Sequence, residues 1–450
     1  MASPTTSNIS KNDFEEVLSP PPPDMISKRS YQTLSFPTFS AQLAEEIRNN
    51  QYDKQNNPTG VVNLAISVNQ LMEDEVLARL NKENTLTLTS QHQYYNDTSG
   101  LPELRKAVAN FLTRHHKPSE AISPENLVVM NGLTACLDAL SHTLCDPGDV
   151  VITPTPVYGR IFTNFYDRAG ATVVPLPCQE MENFALKEED LKSLIKQYLD
   201  DGQRVRVFVL LHPHNPLGHV YSTEQLRNIM KICAQYKIHI VIDEIYAFSI
   251  HDRSTHFNSV LGMESLPDPQ RTHVLWGFSK DFSIPGFRIG VIHSTNPWVL
   301  SCLRTLSHYH SSPPLTQHAA ASLLSDVEWC DDFYVPTNKN KLAAAYKKAC
   351  EYLEASGVKV HKTVAGIFLW VNMQAFLDEC NEENEMALFM MFLKGGVCLL
   401  PGKKLYCAHP GWYRIVFSVK ENVLEEVTNL RCSLPQRLSE LVQFEILHSW

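Results

Sequence analysis

Three residues far apart in the chain could do chemistry together, namely Lys280, Asp243 and an arginine near either of them. Lys280 stands in the run Phe278-Ser279-Lys280-Asp281-Phe282-Ser283-Ile284-Pro285-Gly286-Phe287-Arg288, directly after the apolar stretch His273-Val274-Leu275-Trp276. That stretch reads as a short buried strand leading into a turn. A lysine at such a strand end loses water from its ammonium, which favours the neutral amine. A neutral lysine amine can condense with an aldehyde as a Schiff base. Arg288 follows the turn residues Pro285-Gly286, which could fold its guanidinium back toward the same place, where it would suit a phosphate.

An aldehyde beside a phosphate describes pyridoxal 5'-phosphate, and two earlier stretches supply groups for its other edges. Val205-Arg206-Val207-Phe208-Val209-Leu210-Leu211 is strand-like and runs into His212-Pro213-His214-Asn215-Pro216-Leu217-Gly218. Ile238-His239-Ile240-Val241-Ile242 runs into Asp243-Glu244-Ile245-Tyr246. Each places polar groups just after a buried strand, where ligands collect in open parallel sheets. Asp243 is costly to bury without a cationic partner. A protonated pyridine nitrogen offers one, through a charge-assisted bond of about 1.5–3 kcal/mol. Asn215 and Tyr246 can hydrogen-bond the phenolic oxygen of the same ring, and Pro216 is expected to keep the Asn215 backbone extended.

Asn215-Pro216-Leu217-Gly218, Asp243-Glu244-Ile245-Tyr246 and Ser279-Lys280 with Pro285-Gly286-Phe287-Arg288 resemble the core motifs of class I/II aminotransferases, the fold-type-I pyridoxal phosphate enzymes. Asn57-Pro58-Thr59-Gly60, Asn69-Gln70-Leu71, Gly100-Leu101-Pro102, Pro154-Thr155-Pro156-Val157-Tyr158 and Pro410-Gly411-Trp412-Tyr413-Arg414 are similar to 1-aminocyclopropane-1-carboxylate synthases and their animal relatives. The resemblance covers roughly residues 36 to 432, with the motifs in the expected order. It implies an α/β fold with a large domain built on a mostly parallel seven-stranded type of sheet, plus a small α+β domain.

The resemblance also implies roles. Lys280, with Ser279 beside it, would hold the cofactor aldehyde and later act as base at the substrate α-carbon. Asp243 would face the ring nitrogen, Tyr158 would stack on the ring, and Arg288 would take the phosphate. Thr134 and Ala135, after the strand Asn126–Met130 and before a helix expected at Leu137–Leu144, would give backbone N–H groups to that phosphate. Arg414 would anchor the substrate carboxylate next to Asn215, because a guanidinium offers two parallel donors. The plain alternatives are an arginine on an edge strand for Arg414 and a packed βα corner for Tyr158. The implied activity is amino-group transfer between an L-α-amino acid and a keto acid in a homodimer. A β- or γ-elimination lyase, a true cyclopropane-forming synthase and a non-catalytic cofactor-binding regulator remain as alternatives.

Three positions depart from the family pattern. Val68 stands where the cyclopropane-forming synthases have a glutamate that helps place a sulfonium substrate, and valine attracts no such charge. Thr98 stands where an aromatic residue is usual, with Tyr94 and Tyr95 just upstream. Gly277 stands where many members carry a phosphate-binding serine, so weaker cofactor binding is expected.

Bulk properties agree with a soluble, cytoplasmic enzyme. The 450 residues carry 39 Lys+Arg against 49 Asp+Glu, a net charge of −10 that gives no polycation for nucleic acid. No apolar run is long enough to cross a bilayer, and the acidic N-terminal stretch disfavours a signal or transit peptide. The eleven cysteines are scattered with no Cys-x-x-Cys pair, as reduced thiols would be. The pairs His115/His116, His212/His214 and His308/His310 lack a carboxylate or cysteine complement at metal-like spacing, and no metal is expected. Residues 1–35 should be a disordered or extended Pro/Ser-rich tail. The small domain should comprise 36–60, with a helix near Phe39–Asn50, and 315–432. The large domain should run over 61–314, and 433–450 should be loosely attached. Helices are expected over Glu103–His115, Ser222–Tyr236 and Asn338–Ala355.

Overall fold

The computed structural model describes residues 25–34, 45, 47–420 and 423. A two-residue strand, β1 (Val62–Asn63), precedes the large sheet. That sheet is formed by β2 (Leu127–Met130), β3 (Val150–Thr155), β4 (Thr172–Pro177), β5 (Val205–Leu211), β6 (His239–Asp243), β7 (Thr272–Gly277) and β8 (Gly290–Ser294). Its order is β2-β8-β7-β6-β5-β3-β4, and only β8 runs against its neighbours. All residues of β2, β3, β6 and β7 are buried. Burial on both faces explains why these strands read as near-continuous apolar runs rather than alternating ones. The C-terminal ends of β3, β5, β6 and β7 therefore lie along one edge, where a parallel sheet opens its crevice.

The small sheet contains β9 (Lys359–His361), β10 (Phe368–Asn372), β12 (Leu400–Pro401) and β13 (Trp412–Val416), antiparallel in the order β12-β13-β10-β9. The short strand β11 (Val397–Cys398) instead pairs with β1 in parallel, Val62 opposite Val397. The Leu64 N–H also donates to the Cys398 carbonyl at 2.9 Å, and the Val416 N–H to the Leu64 carbonyl at 2.9 Å. The segment from Val61, expected to open the large domain, thus belongs by its backbone bonds to the small one.

The expected boundary at 315 moves as well. Helix Pro314–Ser325 buries Ala319, Ala320, Leu323 and Leu324 in the same cluster as Leu104, Val108, Phe111 and Leu112 of helix Pro102–His116. The chain leaves the large domain only along helix Val335–Ala355, which starts against that cluster and ends with Leu342, Ala349 and Leu353 in the core of the small domain.

Local signals account for the other elements. Helix Thr223–Gln235 begins at Ser222, whose Oγ accepts the Gln225 N–H at 3.2 Å while the Gln225 amide oxygen accepts the Ser222 N–H at 3.0 Å. Lys28–Leu34 is helical where an extended tail is expected, its start held by the Ser27 Oγ on the Ser30 N–H at 3.1 Å. Of the helix expected near 39–50, Glu45 and Ile47–Asn49 are helical, and the rest lies outside the described residues, as do most of the tail and the segment 433–450. No described helix is long and apolar enough to cross a membrane.

Candidate active site

A cavity of about 380 Å³ opens where the strand ends of the large sheet meet the small sheet. From the large domain come Tyr158 after β3, Asn215 after β5, Asp243 and Tyr246 at and after the end of β6, Ser279 and Lys280 after β7, and Arg288 before β8. Thr134 enters from the first turn of helix Leu133–Leu144, and Arg414 from β13 of the small sheet. Residues spread over 280 positions, predicted from separate motifs, thus face one space.

Asp243 is 6% exposed, and its Oδ1 accepts the Ile245 N–H at 3.0 Å. Burial pushes its carboxyl up to about 7, against the pull of that N–H and of the Lys280 charge. Burial likewise lowers the Lys280 ammonium to about 8, helped by the charges of Arg414 and Arg288 and opposed by Asp243. The Lys280 Nζ donates to the Ser67 carbonyl. An acid held up and an amine held down across one cavity are both ready to exchange protons near neutrality.

The turn expected at Lys280 is the short helix Phe278–Asp281, directly after β7. Asp281, next to Lys280, fixes that helix. The buried Asp281 carboxylate accepts the Ser249 hydroxyl at 2.7 Å and the Trp276 indole N–H at 3.1 Å, and its backbone carbonyl accepts the Tyr334 hydroxyl at 2.9 Å. Ser249 donates its N–H to the Tyr246 carbonyl at 3.0 Å. The Lys280 helix is therefore tied to the loop that carries Asp243 and Tyr246.

Three glycines let the backbone close up behind Arg288. Gly132 has φ +83°, and a Cβ there would lie 2.4 Å from the Arg288 Nη2. A Cβ on Gly290 would lie 2.5 Å from the Gly132 carbonyl carbon. At Gly277, the position expected for a serine, a Cβ would meet Leu133 Cδ1 at 2.7 Å and the Ile289 carbonyl at 2.8 Å. Leu133 thus fills the room a side chain at 277 would need. The helix starts at Leu133 rather than at 137, so its first free N–H groups and the Arg288 guanidinium border the same end of the cavity. Ala135, expected as a donor there, gives its N–H to the Gly132 carbonyl at 3.1 Å instead.

Arg414 is 4% exposed. Its Nη1 donates to the Asn215 Oδ1 at 3.0 Å and its Nη2 to the Ala65 carbonyl at 2.6 Å, while its Nε is buried with no partner among the described residues. Its guanidinium carbon sits 5.5 Å from the centre of the Phe368 ring. The Asn215–Pro216 bond is cis.

Other expected residues lie elsewhere. Thr98 hydrogen-bonds the Ser307 hydroxyl at 3.0 Å beside a different cavity, lined also by Arg105 and Arg304. Tyr94 and Tyr95 are exposed. Val68 sits one residue past the cavity-lining stretch Ala65–Ser67, and its carbonyl accepts the Ser418 hydroxyl at 3.0 Å. His212 is buried and stacked on Phe257, and His115 bonds Asp331 at 3.0 Å. Among the described residues no group of three or more His, Cys, Asp or Glu side chains converges as a metal site. Cys136 is buried, and burial raises its thiol pKa far above the usual value.

Sequence reasoning missed Asp281 and the double role of Ala65–Ser67, whose carbonyls hold Arg414 and Lys280. The motif Ser279-Lys280-Asp281 contained the first signal: an aspartate in a run of buried apolar residues must find donors. Backbone carbonyls leave no such trace.

The donor set can be tested against a pyridoxal phosphate ring. An exposed guanidinium beside a helix start suits its phosphate, and a buried carboxylate suits its ring nitrogen. A lysine with a lowered pKa suits its aldehyde. The residues fit.

Comparison with known proteins agrees. The sequence profile of the family described as "Aminotransferase class I and II" matches residues 59–429. Mouse "1-aminocyclopropane-1-carboxylate synthase-like protein 1" is 37% identical over 380 residues, covering 83% of this chain and 76% of that one. The human "Probable inactive 1-aminocyclopropane-1-carboxylate synthase-like protein 2" is 34% identical, covering 92% of this chain and 74% of the other. A double mutant of aspartate aminotransferase from Thermus thermophilus superposes with a TM-score of 0.71 at 22% identity, covering 89% of this chain and 98% of that one, a likeness of fold.

Proposed function

The chain belongs to the class I and II aminotransferase family, whose cofactor is pyridoxal phosphate, and from that premise we propose that it transfers the amino group of an L-α-amino acid to a keto acid. One observation carries the reading. Arg414 is a buried guanidinium held by neutral oxygens, with one nitrogen unpartnered among the described residues, in the same cavity as Lys280 and Asp243. A buried cation of this kind calls for an anion, and a carboxylate matches its paired donors.

Pyridoxal phosphate, when bound, supplies an aldehyde for the amino group and a sink for the electrons of the bond to the α-hydrogen. Arg288 and the start of helix Leu133–Leu144 would hold its phosphate, Tyr158 its ring face, Asn215 and Tyr246 its phenolic oxygen, and Asp243 its ring nitrogen. The chain's own groups do the rest. Arg414 orients the substrate carboxylate and so fixes where the α-carbon lies. Lys280, whose amine is neutral in a good part of the population near pH 8, would take up the proton from that carbon as the general base. Asp281 keeps the amine in reach through the Ser249 and Trp276 bonds.

A second reading, binding of the cofactor without turnover, is favoured by the 34% identity to a human relative described as probably inactive. Both readings are separated by incubating the purified protein with pyridoxal phosphate, a panel of amino acids and a keto acid. Exchanged amino groups support transfer. Ammonia and a keto acid formed without an acceptor indicate elimination, and a coloured protein that converts nothing indicates the binding role. With Val68 in place of a carboxylate, S-adenosylmethionine is expected to give no cyclopropane product, which chromatography of the reaction checks. A homodimer in the cytoplasm completes the proposal.

Two further outcomes follow from the geometry. Added pyridoxal phosphate should be captured by the apoprotein faster as pH rises, levelling off above about 8, because only the neutral Lys280 amine is nucleophilic and its pKa is lowered to about 8. Stopped-flow absorbance measures this, and a rate that climbs steadily to pH 10 would show an unshifted lysine. Gly132→Ala should raise the Kd for the cofactor at least about tenfold, since it adds a strained φ costing about 1–3 kcal/mol and displaces Arg288. Fluorescence titration of the variant tests it; an unchanged Kd would remove Arg288 and Gly132 from the phosphate end.

A further inference from the structure

The stretch Ala65-Ile66-Ser67 bridges the two groups that a substrate must engage. The Ala65 carbonyl accepts from the Arg414 Nη2 at 2.6 Å, and the Ser67 carbonyl accepts from the Lys280 Nζ. The residue between them, Ile66, lines the cavity and is 56% exposed, one of the large apolar side chains left open in this chain. Leu400, on β12, stands directly opposite Arg414 on β13, so the two side chains rise from the same face of the small sheet, and Leu400 also lines the cavity. An amino acid with its carboxylate on Arg414 and its amino group near Lys280 must lie along this stretch. Its side chain then has Ile66 on one flank and Leu400 on the other.

We propose that Ile66 and Leu400 form the side-chain subsite, and that the site selects L-α-amino acids with apolar side chains of the leucine and methionine class over those bearing a second carboxylate. This rests on the reading of Arg414 as carboxylate anchor. The physical case is direct. Apolar walls lose nothing on accepting an aliphatic chain and cover Ile66 from water. A second carboxylate placed between them would lose part of its hydration to apolar walls, and the cations lining the cavity among the described residues, Arg414, Arg288 and Lys280, are already taken by the α-carboxylate, the phosphate and the amino group. Selection by length is modest, a factor of roughly ten to two hundred per methylene. Rejection of the charged group is the larger effect.

The test uses the holoprotein and no keto acid, so that only the amino-acid half of the reaction is read. Each of L-alanine, L-leucine, L-methionine, L-aspartate and L-glutamate is mixed with it, and the change of cofactor absorbance is followed against concentration. The expected result is a second-order rate constant for leucine and methionine at least about tenfold above that for aspartate and glutamate. In Ile66→Ser the ratio of leucine to alanine should fall at least about fivefold, and in Ile66→Leu it should hold. Equal or faster reaction of the acidic amino acids, or an unchanged leucine-to-alanine ratio in Ile66→Ser, overturns the subsite while leaving the anchor reading intact. A holoprotein whose absorbance responds to no amino acid at all overturns the anchor reading and the subsite with it.

Discussion

Replacing Lys280 by alanine is expected to lower amino-group transfer by at least about 10³-fold and to remove the visible absorbance that the wild-type protein gains with pyridoxal phosphate. General-base catalysis by a positioned side chain is worth about 10²–10⁴-fold, and this lysine has a second duty in holding the aldehyde. Both duties depend on an amine that is easily neutralised, and burial beside Arg414 and Arg288 provides that. Alanine leaves the short helix Phe278–Asp281 held by Asp281, so the variant should fold. Comparing thermal melting with turnover separates a lost function from a lost fold. Retained colour and turnover in the alanine variant would mean that another amine does this work.

The second large effect is expected at Arg414. Arg414→Gln removes the cation that the substrate carboxylate needs, and losing one partner of a buried, hydrogen-bonded charge pair costs about 2–5 kcal/mol. That corresponds to a fall of roughly 30- to 5,000-fold in kcat/KM for every amino acid. Cofactor colour should persist, because Arg414 stands on the small sheet, away from Arg288 and Gly132. Arg414→Lys keeps the charge but cannot donate to Asn215, to the Ala65 carbonyl and to a carboxylate in the same plane, so it should recover only part of the loss. Steady-state kinetics with alanine and with a longer substrate measure both variants. A loss confined to one amino acid would make Arg414 a side-chain contact rather than a carboxylate anchor.

Much of the fold was legible because buried parallel strands announce themselves. β5, β6 and β7 are apolar on both faces and end in polar turns, and the polar residue at each end is what reaches the cavity. Helix starts with a side-chain cap, such as Ser222, were equally visible. What could not be read was pairing that uses too few residues to show a period. β1 has two residues, and its attachment to β11 shifts the start of the large domain beyond the expected position 61. Helix Pro314–Ser325 is apolar around much of its surface, so its sequence does not say which domain it covers.

The candidate site shows the same division. Asp243, Lys280, Arg288 and Arg414 stood out as charges next to apolar runs, a costly placement that demands a reason. Thr134 was placed by the loop before it, whereas Ala135 was assigned a free N–H that the Gly132 carbonyl in fact takes, because the helix begins four residues earlier than its apolar pattern suggests. The carbonyls of Ala65 and Ser67 were invisible, since any residue presents the same backbone oxygen. Gly277 looked like a missing ligand. In three dimensions it is where Leu133 and the Ile289 carbonyl leave no room for one.

The most direct test of the central claim is chemical. Protein loaded with pyridoxal phosphate is reduced with borohydride, digested, and its peptides are weighed by mass spectrometry, for the wild type and for Asp243→Asn. The account predicts one modified peptide, carrying the cofactor on Lys280, and an altered absorbance maximum before reduction in the Asp243 variant. Label on a different lysine, or an identical spectrum without the Asp243 carboxylate, would contradict the placement of both groups around one ring.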